Sequence, residues 1–169
     1  MKITYTIMDS PLGVLLLAAT EKGFCSVRLG KDKKKLEREL KKEFSAAKWT
    51  ANDKHFRRWT RSLVNFLAGH KPWPLLPYDV QATAFQRRVW DWLRTVPAGK
   101  TCHYAAAAKA IGEPTAARAV ARACATNPVA LVIPCHRIVP KSGGAGGYRW
   151  SPERKRKLLT LENTRRVKE

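Results

Sequence analysis

Acidic residues are scarce in this chain of 169: thirteen Asp and Glu face thirty-three Lys and Arg, for a formal charge of +20. Such a surplus repels itself in a compact fold and attracts polyanions, so nucleic acid is the expected partner, through general phosphate affinity. Part of it reads as solvated helix surface, as in Lys31-Asp32-Lys33-Lys34-Lys35 and Arg154-Lys155-Arg156-Lys157. Long apolar runs are also missing. Nothing approaches the ~18 consecutive apolar residues of a membrane-spanning helix, so a soluble protein is expected. The start, Met1-Lys2-Ile3-Thr4-Tyr5-Thr6, alternates like a strand and lacks a charged stretch leading into a long apolar one. No secretory leader is therefore expected, and the cytoplasm is the expected compartment. Paired cysteine spacing is absent as well: Cys25, Cys102, Cys124 and Cys135 match neither zinc ribbons nor thioredoxin-like sites. Neither metal nor disulfide is expected, and Cys25 and Cys124, in apolar or alanine-rich surroundings, read as buried rather than reactive.

Residues 3 to 29 read as three short strands, Ile3 to Met8, Val14 to Ala18 and Phe24 to Leu29, with turns at Ser10-Pro11-Leu12-Gly13 and Glu21-Lys22-Gly23. A small antiparallel sheet follows. Leu36, Leu40 and Phe44 recur at helical spacing, as do Phe56, Trp59, Leu63, Phe66 and Leu67 before a stop at Gly69, which predicts two amphipathic helices over the sheet. The proline-rich Lys71 to Tyr78 sustains neither helix nor central strand and divides the chain into residues 1–78 and 79–169. Beyond it Phe85, Val89, Trp92 and Leu93 mark one helical face. An alanine-rich helix from about Tyr104 to Ile111, the turn Gly112-Glu113-Pro114 and a helix from near Thr115 to about Thr126 have the spacing of a helix-turn-helix.

On that last helix Ala116, Val120 and Ala123 suit the core, while Ala117, Arg118, Ala121 and Arg122 face outward. Readers of the major groove project long polar side chains toward base edges, whereas this face is mostly alanine. It suits close approach of the backbone to a groove, with registration by phosphate contacts and Arg118 free for a task other than reading sequence.

The apolar run Ala130-Leu131-Val132-Ile133 reads as a buried strand stopped by Pro134, which delivers Cys135, His136 and Arg137. A thiol of pKa about 8.5 is mostly protonated at neutral pH and needs a base or a positive field to act as a nucleophile. Both stand next to Cys135. The competing view is a small buried packing cysteine, or half of a metal site.

In order along the chain, Thr83-Ala84-Phe85-Gln86, Val89-Trp90, Pro97-Ala98-Gly99-Lys100-Thr101, Tyr104, Arg118-Ala119-Val120, Asn127-Pro128, Ile133-Pro134-Cys135-His136-Arg137-Ile138-Val139, Gly146, Tyr148 and Glu162 resemble the catalytic domain of the O6-alkylguanine-DNA alkyltransferases. The resemblance covers residues 79 to 162, is nearest to bacterial single-chain members and to the alkyltransferase half of the bacterial adaptive-response protein, and extends weakly to the turn Ser10 to Gly13 and the strands around it. It implies an α+β protein: a small N-terminal sheet flanked by helices, and a mostly helical C-terminal domain with a winged helix-turn-helix-like DNA-binding motif.

It further implies direct reversal of alkylation damage, in which Cys135 takes the alkyl group from O6 of an extruded guanine once and irreversibly. His136 is then the base acting through a water, Glu162 its orienter, and Tyr104 the proton donor to the purine ring. Arg118 fills the vacated place in the base stack. Asn127 ties the recognition helix to the active-site segment, and Tyr148, Gly146 and the backbone at Val139 wall the base. Ala117 and Ala121 let that helix approach the minor groove. No cofactor is implied, the partner is double-stranded DNA carrying O6-alkylguanine, and the protein is a monomer. Cooperative binding and O4-alkylthymine as a second substrate stay open.

Ala82, His103 and Ala105 to Ala108 depart from the family pattern without removing a catalytic group, and Arg149-Trp150 is bulkier than in some relatives, which predicts a narrower pocket. Rival functions are a lesion-binding protein without transfer, a sequence-specific regulator and a cysteine hydrolase. The presence of Cys135 opposes the first and the alanine-rich helix the second. The third is opposed because residues adjacent on one strand rarely exchange a proton directly.

Overall fold

A computed structural model describes residues 1–169 except Asn52, Lys71 and Glu169, and describes the backbone but not the side chains of residues 164–168. Lys71, the first residue of the expected linker, thus lies outside the described residues. The architecture is α+β, and the chain clusters into two units: Met1–Val80 with Pro128–Val132, and Gln81–Asn127 with Ile133–Glu169. The short segment Pro128–Val132 joins the first because Val27 N–H donates to the Pro128 carbonyl and Ala130 N–H to that of Val27 (3.0 and 3.1 Å).

The first unit is built on strands β1 (Lys2–Ser10), β2 (Gly13–Thr20) and β3 (Gly23–Gly30), paired antiparallel in sequence. At the first turn Ser10 Oγ donates to the Gly13 carbonyl and accepts from Leu12 N–H, and Gly13 sits at φ 102. Helix α1 (Lys33–Glu43) starts at Asp32, whose carboxylate accepts from Lys34 and Lys35 N–H. It packs Leu36 and Leu40 on Ile3, Val14, Leu16, Ala18 and Cys25. A further strand absent from the sequence expectation, β4 (Lys48–Thr50), pairs parallel with β1, giving the order β3-β2-β1-β4. Three residues between Ala47 and Ala51 carry too little alternation to register as a strand.

Helix α2 (Lys54–Leu67) covers the other face of the sheet, where Phe56 and Trp59 meet Phe24 with ring centroids 6.3 and 5.9 Å apart. With both faces covered, β2 is buried from Val14 to Thr20, so it reads as a continuous apolar run. Gly69, at φ 89, ends the turn after α2. The extended segment beyond it returns to β3: Phe24 N–H donates to the Pro77 carbonyl and Asp79 N–H to that of Phe24. A Cβ on Gly23 would lie 2.7 Å from the Pro77 carbonyl carbon, so this approach requires glycine.

In the second unit α3 (Ala84–Leu93) opens on a capping box between Thr83 and Gln86. It packs against α4 (Tyr104–Ala110) and α5 (Ala117–Ala125), which are joined by the turn at Gly112, φ 82. Of the expected face of α3, Val89 and Leu93 are buried while Phe85 and Trp92 are only half-buried, and Trp90 joins the buried stripe because its indole N–H donates to the Ala123 carbonyl at 3.0 Å and fixes that ring inside. Helix α6 (Pro152–Lys168) closes the unit. Among the described residues no helix is long and apolar enough to cross a membrane.

Candidate active site

The expected strand Ala130 to Ile133 is not formed. The run makes isolated bridges at Val129, Ala130 and Ile133 around a turn at Leu131, φ 73, and Cys135–Arg137 form a single 3-10 turn. The left-handed backbone at Leu131, with Val132 N–H turned back onto the Ala130 carbonyl at 2.8 Å, breaks the extended run between the two prolines. What fixes the cysteine is the turn, closed by Arg137 N–H on the Pro134 carbonyl at 3.0 Å. Cys102 supports its far end: its N–H donates to the Arg137 carbonyl and its carbonyl accepts from Val139 N–H (2.9 and 2.8 Å).

Asn127, fully buried just past α5, donates from Nδ2 to the Ile133 carbonyl at 3.0 Å and to Cys135 Sγ at 3.4 Å. One amide thus ties the end of the second helix of the helix-turn-helix to the thiol. Burial pushes the Cys135 thiol well above its ordinary value, a hydrogen bond with Cys124 adds to this, and the Asn127 donor opposes it. The sulfur is a thiol at rest.

Behind it lies a buried ionic group. His136 Nε2 is 2.7 Å from Glu162 Oε1, and Arg137 reaches both carboxylate oxygens, Oε1 from Nη2 at 2.9 Å and Oε2 from Nε at 3.1 Å. Arg137 Nη1 also donates to the Val96 carbonyl at 2.7 Å. Burial pushes the Glu162 carboxyl up, but the interactions with His136 and Arg137 outweigh it and hold the group at about 2. Burial, with the charges of Arg137 and Lys155, lowers His136 against the opposing effect of Glu162, so the ring is neutral at rest. The carboxylate accepts from Nε2–H, and the lone pair of the neutral imidazole is then on Nδ1. That is the tautomer a general base needs.

Cys135 lines a cavity of 340 Å³ together with Tyr104, Ala121, Cys124, Ala125, Gly147, Tyr148 and Arg149. Tyr104 comes from the start of α4 and Ala121 from α5, so the helix-turn-helix forms one wall. The segment before α6 forms the other. Gly146 takes φ 76, and a Cβ there would lie 2.7 Å from Pro140 Cδ. Lys155 donates to the Gly147 carbonyl at 3.0 Å, and Tyr148 stands edge-on to His136 at 6.5 Å and to Trp150 at 5.5 Å. Arg149 lies over Trp150 and donates to the Asn127 carbonyl at 2.8 Å.

Of the residues expected from the sequence, Cys135, His136, Glu162, Asn127, Tyr104, Tyr148 and Ala121 converge here. Arg118 is exposed and Ala117 half-buried on α5. Val139 and Gly146 stand outside the cavity lining, the Val139 carbonyl being engaged by His103 Nδ1 at 3.1 Å.

Three residues carry more of the site than the sequence suggested. Cys124 is buried as expected, yet it lines the cavity beside Cys135. Arg137 is an ion-pair partner of Glu162. Lys155, read as part of a solvated basic run, is fully buried, whereas Arg156 and Lys157 are exposed. The signal was there in the spacing, since Lys155, Leu158 and Glu162 fall on one helical stripe.

A family model described as 6-O-methylguanine DNA methyltransferase, DNA binding domain, matches residues 84–164, and one described as its ribonuclease-like domain matches residues 3–73. The chain is 44% identical over 161 residues to the bifunctional transcriptional activator/DNA repair enzyme Ada of Escherichia coli, covering 95% of this chain and 45% of that protein. It therefore spans less than half the length of that relative. It is 38% identical over 164 residues to the methylated-DNA--protein-cysteine methyltransferase of Methanosarcina acetivorans, covering 95% and 98% of the two chains. Among solved structures, the Mycobacterium tuberculosis O6-methylguanine methyltransferase superposes with a TM-score of 0.78 at 34% identity, over 96% of this chain and 94% of that one. The complex of the M. tuberculosis protein with DNA gives 0.79 at 35% identity, with the same coverage.

Proposed function

The chain belongs to the 6-O-methylguanine DNA methyltransferase family, and from that membership we propose that it repairs DNA by direct reversal, moving the alkyl group from O6 of guanine onto its own Cys135. The observation that carries this is the buried Cys135 thiol, hydrogen-bonded by Asn127 beside a neutral His136 on Glu162, at the wall of a cavity shared with the helix-turn-helix.

The protein meets double-stranded DNA from the minor groove, with the small side chains Ala117 and Ala121 allowing close approach of α5. Extruding the damaged base costs a few kcal/mol, least for a weakened pair. The exposed Arg118 fills the gap in the stack, and the base enters between Tyr148 and Tyr104, with Gly146 and Val139 shaping the backbone around it. His136 Nδ1 takes the thiol proton through a water as sulfur attacks the alkyl carbon. The C–O bond breaks as the S–C bond forms, its electron pair passes into the purine, and Tyr104 donates to the ring so that guanine does not leave as an anion. Glu162 holds the imidazolium that results.

The product is a thioether with no ready route to hydrolysis, so each molecule reacts once, with no metal, nucleotide or methyl donor. It works as a monomer in the cytoplasm, where thiols stay reduced. A lesion-binding protein without transfer would need no nucleophile at this wall, and the placement of Cys135 favours transfer over binding alone.

The test is a duplex carrying one radiolabelled O6-methylguanine, incubated with the wild type and with Cys135→Ser. Label should pass to the intact protein, one methyl per chain, and only in the wild type. Release of label to solvent, turnover beyond one, or transfer by the serine variant refutes the proposal.

A further inference from the structure

The four cysteines are all free thiols, and their surroundings differ. Cys25 sits in the core of the first unit with Ile3, Val14 and Leu16. Cys102 supports the active-site turn through its backbone and stands outside the cavity lining. Cys124 shares the 340 Å³ cavity with Cys135, and both belong to the second unit. Buried Asn127 binds the two together: its N–H donates to the Cys124 carbonyl at 3.3 Å and its Nδ2 to Cys135 Sγ at 3.4 Å. The two thiols are hydrogen-bonded to each other.

Packing does not require a thiol at this place. Ala121 and Ala125, on the same helix, line the same cavity with methyl groups. A methyl at position 124 would close the wall too, whereas a second sulfur in contact with the nucleophile can form a bond with it. An S–S bond is about 2.05 Å long. The sulfurs therefore have to close in from hydrogen-bonding contact, and the cavity leaves either side chain room to turn.

We propose that Cys124 and Cys135 are a redox pair, a modification site at which hydrogen peroxide converts the nucleophile to a Cys124–Cys135 disulfide that a dithiol reverses. The Cys135 sulfur, as its anion, attacks one peroxide oxygen. The O–O bond breaks, Cys135 becomes a sulfenic acid, and the departing hydroxide takes up the proton the thiol gave. The Cys124 sulfur then attacks the sulfenic sulfur, S–S forms as S–O breaks, and hydroxide leaves as water with the Cys124 proton. Two thiols thus lose two electrons and two protons, and one peroxide becomes two waters. Burial keeps the resting Cys135 protonated, so capture needs peroxide in excess. Without a partner thiol the sulfenic acid goes on to sulfinic acid, which is irreversible. The benefit to repair rests on the proposed transfer reaction: a sulfur that reacts only once is preserved by a disulfide. Transient, redox-sensing disulfides of this kind suit a reducing compartment.

The experiment uses the full chain without DNA, reduced and then exposed to hydrogen peroxide, as wild type, Cys124→Ala and Cys124→Ser. Free thiols are blocked with iodoacetamide before digestion with trypsin. Cys124 and Cys135 fall in one tryptic peptide, Ala123–Arg137, which holds no other cysteine. In the wild type this peptide should be lighter by two hydrogens and take no iodoacetamide, and after dithiothreitol it should take two. In both variants it should instead gain two oxygens at Cys135. Methyl transfer, relative to each protein before oxidation, should be lost in all three and return with dithiothreitol only in the wild type. The wild-type peptide map needs neither variant to fold. A wild-type peptide that stays unoxidised, carries sulfinic acid beside a free Cys124, or pairs with Cys102 or a second chain overturns the proposal. So does recovery of the variants to the wild-type extent. A protein that forms the disulfide but transfers no methyl before oxidation leaves the redox pair standing and defeats the repair reaction instead.

Discussion

Glu162→Gln keeps the shape of the side chain and one acceptor oxygen but removes the charge on which His136 and Arg137 converge. In the folded protein this carboxyl titrates at about 2 rather than 4.5, because the two partners outweigh the burial that would raise it. A displacement of that size corresponds to at most about 3 kcal/mol of stability at neutral pH, since the share owed to a charged His136 is absent once the ring is neutral. A depressed carboxyl contributes stability that is present above its unfolded value and lost as pH falls through its folded one. The window therefore runs from 4.5 down to about 2. Wild type should exceed the glutamine variant by up to about 3 kcal/mol at pH 7, the cost of a buried Arg137 that loses its partner. The gap should shrink steadily below 4.5, since a protonated Glu162 is nearly the isostere of glutamine. The other carboxylates titrate alike in both proteins, so the difference isolates Glu162 together with the His136 it raises. Urea unfolding of the pair, from neutral pH to about pH 3, measures it. A gap that is the same at both ends would refute the assignment of the charge to this network.

Two further outcomes follow from the same site. Burial keeps His136 neutral below the usual histidine value of 6.5, so the single-turnover rate of methyl transfer should hold as pH falls through 6.5 and decline only below it; a half-maximal rate at or above 6.5 would contradict this. Asn127→Ala removes donors to the Ile133 carbonyl and to Cys135 Sγ, so stability should fall by about 1–3 kcal/mol and the thiol should rise further. Alkylation of Cys135 by iodoacetamide across a pH series checks the second effect, and an unchanged profile would count against the Asn127 contact.

Local pattern carried much of the fold. Strands β1 to β3, the stripe Phe56 to Leu67 stopping at Gly69, and the paired helices α4 and α5 all lie where alternation and helical spacing put them. The failures have physical causes. Strand β4 draws its pairing from β1, forty-six residues away, and the run before Cys135 is apolar because it is buried, a property shared by strands and bridged turns alike. Trp90 joined the buried stripe of α3, where Trp92 is only half-buried, because its indole N–H found a carbonyl on another helix.

By itself the sequence determined the element order, the basic character and the order of motifs around Cys135, because each depends on residues close along the chain. Tertiary structure alone decided the site's electrostatics. Glu162, expected beside His136 only through the family resemblance, took Arg137 as a second partner, Lys155 was buried out of its basic run, and Cys124 was set against Cys135. Pairing and desolvation are set by what surrounds a group in space, and neighbours in space are not written in the local pattern.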